Sequence, residues 1–244
     1  MVDDRDLRFP ADNFALVKRI CDRYFGVGAD GLILMRHHEA ENFEMVYYNA
    51  DGRPGSMCGN GGRAAILWAV HHGMMEEQGS LLAADGVHSA NFEDELTISL
   101  GMRYVSDIEK LEEGVFIHTG SPHVVLKAEK LREMDVVAEG RKVRYSERWR
   151  AQGTNVNFIE ETSEGILIRT YERGVEDETL ACGTGITAAA LAIAREKGIR
   201  KGTIALQALG GKVEVLFEQE GEGYKNIVLR GPARKVFEGV WNEW

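Results

Sequence analysis

The strongest constraint on the fold is an internal repeat of a short cysteine motif flanked by glycines. "MCGNGGRA" occupies residues 57–64 and "ACGTGITA" occupies residues 181–188. Superposing Cys58 on Cys182, 124 positions later (182 minus 58), also aligns two glycines, two alanines and a leucine of each motif and its helix. This repeat spans about half the chain, far more than a solenoid period. The sequence therefore predicts two homologous domains that face one another.

Each motif lies between a strand-like segment and an apolar helix. "FEMVYYN" and "GILIRTYERG" precede the two motifs, and "RAAILWAVHHG" and "ITAAALAIAREKG" follow them. The first helix is apolar around nearly its whole circumference, which predicts a helix enclosed on all sides, and the second is apolar through its first turns. Alternating segments such as "ANFEDELTISLG" and "KVEVLFEQ" then predict antiparallel strands. We expect an N-terminal domain over residues 1–104, to which residues 231–244 return, and a C-terminal domain over residues 105–230.

A further helix is predicted near the N-terminus, with a buried stripe that is ended by Gly26. Its apolar positions recur at helical spacing at Phe14, Val17, Ile20, Cys21 and Tyr24. Free cysteines are commonly buried, so Cys21 is predicted to be a structural thiol of the core.

Composition limits the classes of partner. The formal net charge of −10 argues against nucleic acid or an anionic membrane, both of which need a basic face, and favours a small-molecule substrate. The N-terminal "MVDDRDLRFP" has no apolar signal core, and runs such as "AAILWAV" are too short to cross a bilayer. We therefore expect a cytoplasmic protein, whose three cysteines stay reduced as thiols.

The two motifs predict acid–base chemistry by a pair of thiols. Backbone N–H groups at a helix start lack partners and favour an anion, so a thiol there ionises more readily. Neighbouring glycines let backbone amides approach a bound anion. Inverting a stereocentre needs a base on one face of the carbon and an acid on the other, and the two halves supply one sulfur each. Donors aimed at the substrate carboxylate would stabilise the developing charge.

Other roles for the cysteines remain open at this point. Zinc would need three or four ligands at close spacing, and the "HH" pairs at 37–38 and 71–72 do not form such a pattern with single cysteines. A resting disulfide is not expected in the cytoplasm. Nucleophilic catalysis by one cysteine leaves the second without a role. Plain packing is the remaining alternative. We expect neither a metal nor a cofactor.

At these motifs the sequence resembles the diaminopimelate epimerases, which interconvert LL- and meso-diaminopimelate without a cofactor on the route to lysine and cell-wall peptide. The resemblance rests on "YNADG", "MCGNGGRA", "GSPHVV", "GTNVNF" and "YERGVEDETLACGTG", and it covers nearly the whole chain. It implies an α+β fold of two pseudo-symmetric domains, each an antiparallel barrel-like sheet around a central helix. It also implies an active site in the cleft between the domains, and a homodimer.

The resemblance implies roles for individual residues. Cys58 and Cys182 match the two proton-transfer residues, and His123 and Glu172 match polar partners that assist them. Substrate contacts are implied at two places, the reacting carboxylate and the far end of the substrate. The first set comprises Gly59, Asn60, Gly183 and Thr184, and the second comprises Asn49, Asn155, Arg173 and Glu172. A guanidinium at Arg173 suits a carboxylate because it can make paired hydrogen bonds. For Asn49 and Asn155 a structural turn role is the alternative, as is an ordinary cleft or loop role for Glu172 and His123.

The chain departs from the family pattern at three places. A "GxxNDF"-like segment usual near the start is not seen before "MVDDRDLRFP", so a truncated form with impaired activity is one expectation. Gly31 and Ser121 stand where many relatives carry Gln and Asn, so these positions are expected to contact substrate less or through water. The alternative enzyme is a proline or hydroxyproline racemase, which shares the design of facing thiols. That class tends to have His where this chain has Asn60.

Overall fold

The computed structural model describes residues 1–242 and divides into two compact units. Unit 1 contains residues 1–100 and the segment that begins at Pro232, and unit 2 contains residues 101–231. The expected boundary after residue 104 falls inside unit 2, because this stretch bonds to a strand of that unit: Met102 N donates to Ile227 O (2.7 Å) and Val105 N to Tyr224 O (3.0 Å). Residues 243–244 of the expected returning segment lie outside the described residues.

Unit 1 is a six-stranded sheet with two helices. The strands lie in chain order, and neighbours are antiparallel except β1 with β2 and β3 with β4. Parallel neighbours need a crossover, and a helix makes each of the two crossovers. The elements are β1 (Val2–Asp3), α1 (Phe14–Cys21), β2 (Gly31–Arg36), β3 (Phe43–Asn49), α2 (Gly59–His71), β4 (Gln78–Ala83), β5 (Gly86–Asp94) and β6 (Thr97–Gly101).

Unit 2 repeats this order of elements, with two additional strands before it and one additional short strand just before its central helix. The elements are β7 (Ile108–Lys110), β8 (Gly114–His118), β9 (Pro122–Lys127), a 3₁₀ turn (Leu131–Glu133), α3 (Val136–Arg144), β10 (Asn155–Thr162), β11 (Gly165–Glu172), β12 (Asp177–Thr179), α4 (Gly183–Lys197), β13 (Lys201–Ala208), β14 (Gly211–Glu220) and β15 (Gly223–Gly231). The parallel pairs are β9 with β10 and β11 with β13, again joined through α3 and α4. The predicted internal repeat is thus a repeat of the order β-α-β-β-α-β-β-β.

The central helix of each unit is enclosed, which the sequence predicts for α2. In α4 every residue from Gly183 to Ala194 is buried, and the helix packs against β8–β11 and β13–β15. In α2 no residue is exposed before His71, and the helix packs against β2, β3 and β5. The fold is therefore α+β, with a mostly antiparallel sheet around a central helix in each unit. No helix within residues 1–242 combines the length and the apolar character needed to cross a membrane.

The first helix is shorter than its sequence predicts. It ends at Cys21, because the Asp22 carboxylate accepts hydrogen bonds from the backbone N–H groups of Tyr24 (2.8 Å) and Phe25 (2.7 Å) and so forms a turn. Tyr24 is consequently 90% exposed rather than part of the buried stripe. Cys21 lies in the core of unit 1, as predicted.

Candidate active site

Cys58 is the N-cap residue of α2 in unit 1. Its backbone is extended (φ −108°, ψ 111°), and its sulfur accepts a hydrogen bond from Gly61 N at 3.4 Å. The sulfur thereby takes the place of the oxygen that usually caps a helix. A sulfur in this position accepts from one of the unpaired N–H groups of the first turn, and such a donor favours the thiolate.

A buried cation lies one turn further along the same helix. Arg63 is 5% exposed, and its Nη2 donates to Asn60 Oδ1 (2.9 Å). Burial lowers the pKa of Arg63 to about 10, while the negative charge of a Cys58 thiolate acts to raise it. The guanidinium therefore stays charged at neutral pH beside the thiol. The sequence analysis does not predict a role for Arg63, although a single charged residue in an otherwise apolar helix is a local indication of one.

The glycines of the first motif are explained by packing within unit 1. A Cβ on Gly61 would lie 2.9 Å from Ile33 Cδ1, and one on Gly62 would lie 2.7 Å from Leu100 Cδ2. The start of α2 thus approaches the sheet too closely for a side chain. A similar approach explains Gly31, one of the departures from the family pattern, because the ring of Tyr47 lies where its side chain would be (2.5 Å).

Cys182 is the N-cap residue of α4 in unit 2. Its backbone is again extended (φ −116°, ψ 110°), the residue is 8% exposed, and its sulfur lies 3.5 Å from Thr184 Oγ1. Two threonine hydroxyls donate to backbone carbonyls of the first turn: Thr119 donates to Thr184 O (2.9 Å) and Thr187 donates to Gly183 O (3.0 Å). The Thr184 hydroxyl of this first turn contacts the thiol.

His123 is fully buried beside this helix start. Its Nε2 lies 2.9 Å from Thr184 Oγ1 and 3.2 Å from Ser121 Oγ, and its Nδ1 lies 3.2 Å from Asn157 Nδ2. Burial lowers the pKa of His123 to about 3, with a smaller contribution from the positive charges of His118 and Arg173. The imidazole is therefore neutral at neutral pH, and it contacts the hydroxyl beside the thiol.

The remaining sequence-predicted residues of unit 2 form a second group at the ends of β10 and β11. Asn155 is buried, with its Nδ2 donating to Pro122 O and its Oδ1 accepting from Arg173 N, both at 2.9 Å. Glu172 Oε2 accepts from Thr179 Oγ1 (2.8 Å). Both side chains therefore have structural partners within unit 2.

Arg173 is exposed and borders open space. Its Nη1 donates to Gln152 O (3.1 Å), and it lines a cavity of about 530 Å³. The cavity is lined by residues of both charges and by aromatic and small residues: Arg148, Asp107, Glu109, His118, Gln152, Phe116, Trp149, Gly120, Pro122 and Gly153. A guanidinium held at a cavity in this way is suited to bind a carboxylate.

The predicted residues of unit 1 lie at two places. Gly59 and Asn60 form the first turn of α2 with Cys58, and Asn49 is the exposed last residue of β3, where its backbone N–H donates to Arg53 O (2.9 Å). Within residues 1–242 no three His, Cys, Asp or Glu side chains are grouped so that they could hold a metal ion.

The fold is shared with solved structures of racemases, epimerases and related proteins. A phenazine biosynthesis protein of the PhzF family from Bacillus anthracis superposes with a TM-score of 0.70 at 13% identity, covering 94% of this chain and 88% of that one. A hydroxyproline epimerase from Agrobacterium vitis superposes with a TM-score of 0.67 at 14% identity, covering 92% of this chain and 79% of that one. At such identities the likeness defines the fold.

The sequence comparisons define the family. The family model for diaminopimelate epimerase matches residues 1–100 and 115–236. Proteins named diaminopimelate epimerase are 46% identical over 239 residues in Flavobacterium psychrophilum, covering 98% of this chain and 93% of that protein, and 41% identical over 233 residues in Chlorobaculum tepidum, covering 92% and 90%. The chain belongs to the diaminopimelate epimerase family.

Replacing Arg63 with Met should make Cys58 harder to ionise, because a nearby positive charge favours the thiolate. We expect the pH midpoint of Cys58 alkylation by iodoacetamide, followed by mass spectrometry of its peptide, to rise by about one unit or more. Lys18→Met, which removes an exposed cation of α1, is the control and should leave the midpoint in place. An unchanged midpoint in Arg63→Met would contradict the electrostatic role of Arg63.

Replacing His123 with Gln should weaken the acid sensitivity of the fold. The pKa of His123 is about 3 in the folded protein and about 6.5 in an unfolded chain, so unfolding takes up a proton between these values. The contribution of His123 to stability is complete above about pH 6.5 and is lost as the pH falls, by up to about 1.4 kcal/mol per pH unit.

The measurement is urea unfolding at several pH values between 4 and 7. We expect the free energy of unfolding to fall less steeply toward acid in His123→Gln than in the parent protein. His37→Gln, at an exposed position, should keep the parent slope. Equal slopes in all three proteins would show that His123 is not held neutral by the fold.

Proposed function

We propose that this protein is an isomerase that interconverts LL-2,6-diaminopimelate and meso-2,6-diaminopimelate, in the supply of lysine and peptidoglycan precursors. The observation that carries the proposal is a thiol at the N-cap of a buried helix in each unit, in a chain that is 46% identical to a diaminopimelate epimerase over 239 residues. The reaction moves one proton at the α-carbon and needs no electron carrier.

The proposed mechanism uses one thiolate and one thiol. The thiolate removes the α-proton from one face, so that the Cα–H bond breaks and an S–H bond forms. The electron pair moves onto the carboxylate, where N–H donors of helix first turns stabilise it. The second thiol then gives its proton to the opposite face, a new Cα–H bond forms, and this sulfur is left as thiolate. Cys58 and Cys182 exchange these parts when the reaction runs in reverse.

We assign the substrate contacts in two sets. The backbone amides at Gly59, Asn60, Gly183 and Thr184 hold the reacting carboxylate. Asn49, Asn155, Glu172 and Arg173 recognise the far end of the substrate, which carries a second carboxylate and an ammonium group. The support for Arg173 is its exposed guanidinium at the cavity of unit 2. For Asn155 we also propose a positioning role, which is supported by the hydrogen bond that its Oδ1 accepts from the backbone N–H of Arg173.

The decisive experiment follows hydrogen exchange in deuterated water by NMR and mass spectrometry. With LL-diaminopimelate, early product should carry deuterium at the inverted α-carbon, while unreacted substrate keeps its proton. This asymmetry is the signature of two different bases, one for each face. Equal labelling of substrate and product from the first turnovers would contradict the two-thiol mechanism, and exchange with proline alone would favour the racemase alternative.

Variants of the three cysteines provide the matched set. Cys58→Ser and Cys182→Ser should each lower epimerisation by at least about 10²-fold, because general acid–base groups contribute about 10²–10⁴-fold. Cys21→Ala is the control, since this buried thiol belongs to the core of unit 1. Circular dichroism should show all three variants folded. Unchanged turnover in either serine variant would exclude that residue from proton transfer.

A homodimer and a cytoplasmic location are also part of the proposal: the family resemblance supports the homodimer, and the location is the expectation drawn from the sequence. Sedimentation velocity should give one species with twice the mass of the 27.1 kDa chain.

A further inference from the structure

A continuous chain of hydrogen bonds leads to the Cys182 thiol within unit 2. Thr170 Oγ1 donates to Asn157 Oδ1 (3.0 Å), Asn157 Nδ2 lies 3.2 Å from His123 Nδ1, and His123 Nε2 lies 2.9 Å from Thr184 Oγ1. The hydroxyl of Thr184 lies 3.5 Å from Cys182 Sγ. All five residues are buried. We call this set the Thr170–Cys182 chain.

Neighbouring groups fix the direction of the first links. Asn157 Nδ2 also lies 3.1 Å from the carbonyl oxygen of Val124, which can only accept a hydrogen bond. The amide nitrogen of Asn157 must therefore be the atom on this side, with both of its hydrogens donated. His123 Nδ1 must then accept, so it carries no hydrogen.

The hydrogen of the neutral imidazole is consequently on Nε2. This nitrogen donates to Thr184 Oγ1, at 2.9 Å, in preference to Ser121 Oγ, at 3.2 Å. Because Thr184 accepts from His123, its own hydroxyl hydrogen points away from the ring. Two neighbours lie within reach of this hydroxyl, Cys182 Sγ at 3.5 Å and Ser121 Oγ at 3.4 Å, but Ser121 Oγ also lies 3.2 Å from His123 Nε2 and is therefore on the side of the ring. A sulfur that becomes negative is the stronger acceptor of the two.

A glycine in α4 makes room for this arrangement. A Cβ on Gly185 would lie 2.3 Å from Asn157 Oδ1, so any side chain there would push Asn157 away from the helix start. The second glycine of the "CGTG" motif is thus required by the contact with Asn157.

We propose that Asn157 and Thr170 are positioning residues of the epimerisation: they hold His123 as its Nε2–H tautomer, so that Thr184 donates a hydrogen bond to the Cys182 thiolate. The proposal rests on the proposed function in one respect, the role of Cys182 in proton transfer. In this arrangement the Nε2 hydrogen of His123 is donated to Thr184 Oγ1. The charges that act on the ring are those of His118 and Arg173, both in unit 2.

The first test needs no substrate. Nitrogen-15 NMR of the histidine rings, with His123 assigned by comparison with His123→Gln, should show hydrogen on Nε2 and none on Nδ1 from pH 6 to pH 8. A ring with hydrogen on Nδ1, or with hydrogen on both nitrogens, in this range would overturn the proposal.

The second test compares two buried threonines of the same helix. Thr184→Val removes the hydroxyl next to Cys182 and keeps the side-chain shape, whereas Thr187→Val removes a hydroxyl that caps a backbone carbonyl outside the chain. We expect the pH midpoint of Cys182 alkylation to rise by about one to two units in Thr184→Val, as for loss of one hydrogen bond to a charged group. It should stay in place in Thr187→Val, and the midpoint of Cys58 should stay in place in both. An equal midpoint for Cys182 in the two variants would refute the proposal.

Asn157→Leu extends the test to the start of the chain. Without the Asn157 amide, the His123 ring should be a mixture of the Nδ1–H and Nε2–H tautomers. The pH midpoint of Cys182 alkylation should rise as it does in Thr184→Val. If this variant does not fold, Thr170→Val, which removes one donor to the Asn157 amide, should give a smaller rise of the same sign. An unchanged midpoint in a folded Asn157→Leu would contradict the role of Asn157.

The outcomes separate this inference from the proposed function. If the Cys182 midpoint shifts in Thr184→Val but the parent protein does not epimerise diaminopimelate, the Thr170–Cys182 chain is supported and the proposed function is refuted. If epimerisation depends on Cys182 but the Cys182 midpoint does not shift in Thr184→Val, the proposed function is supported and the role of the Thr170–Cys182 chain is refuted.

Discussion

The unpaired N–H groups at the start of two enclosed helices are the constraint on which the rest of this structure depends. A helix start surrounded by protein must find acceptors for these donors, and serine, threonine, asparagine or aspartate usually supplies an oxygen. Here a cysteine occupies both N-cap positions. The Cys58 sulfur accepts from Gly61 N and so caps α2, whereas Cys182 stands at the N-cap of α4 with its sulfur 3.5 Å from Thr184 Oγ1. In the proposed mechanism, the residue at each helix start is also the residue that moves the proton.

The two units share a topology and differ in the chemistry around their thiols. Cys58 has a buried guanidinium, Arg63, one turn further along its helix. Cys182 has a threonine hydroxyl beside it and a neutral imidazole behind that hydroxyl. A charge in one unit and an oriented hydroxyl in the other act in the same direction, because both favour a thiolate over a thiol. The two units therefore share a backbone arrangement at the helix start and differ in the side chains that surround their thiols.

Much of this arrangement is readable from the sequence. The repeated motif locates both helix starts, and the apolar circumference of α2 predicts its enclosure. The early end of α1 was missed, because the Asp22 turn overrides an apolar pattern that continues to Tyr24. Helix α3 was also missed, since its residues are mostly polar, although Asp135 gave a capping signal through its bond to Ala138 N (2.9 Å).

The supporting residues of the site were harder to predict than the thiols. Asn157 and His123 are 34 positions apart and meet because β9 and β10 run in parallel, with Asn155 opposite His123. Strand register of this kind is set by packing, and a single sequence does not display it. The one local signal for Asn157 was a polar residue inside the buried run at residues 155–159.

The close approach of Asn157 to Gly185 means that a substitution at one of these positions affects the other. A mutation that adds a side chain at position 185 meets the amide oxygen across 2.3 Å, whatever its own properties. A mutation that shortens position 157 leaves a histidine nitrogen and a backbone carbonyl without their donor. The effect of a substitution at position 185 therefore depends on the residue at position 157, and the reverse also holds. Combinatorial libraries of this enzyme should vary the two positions together.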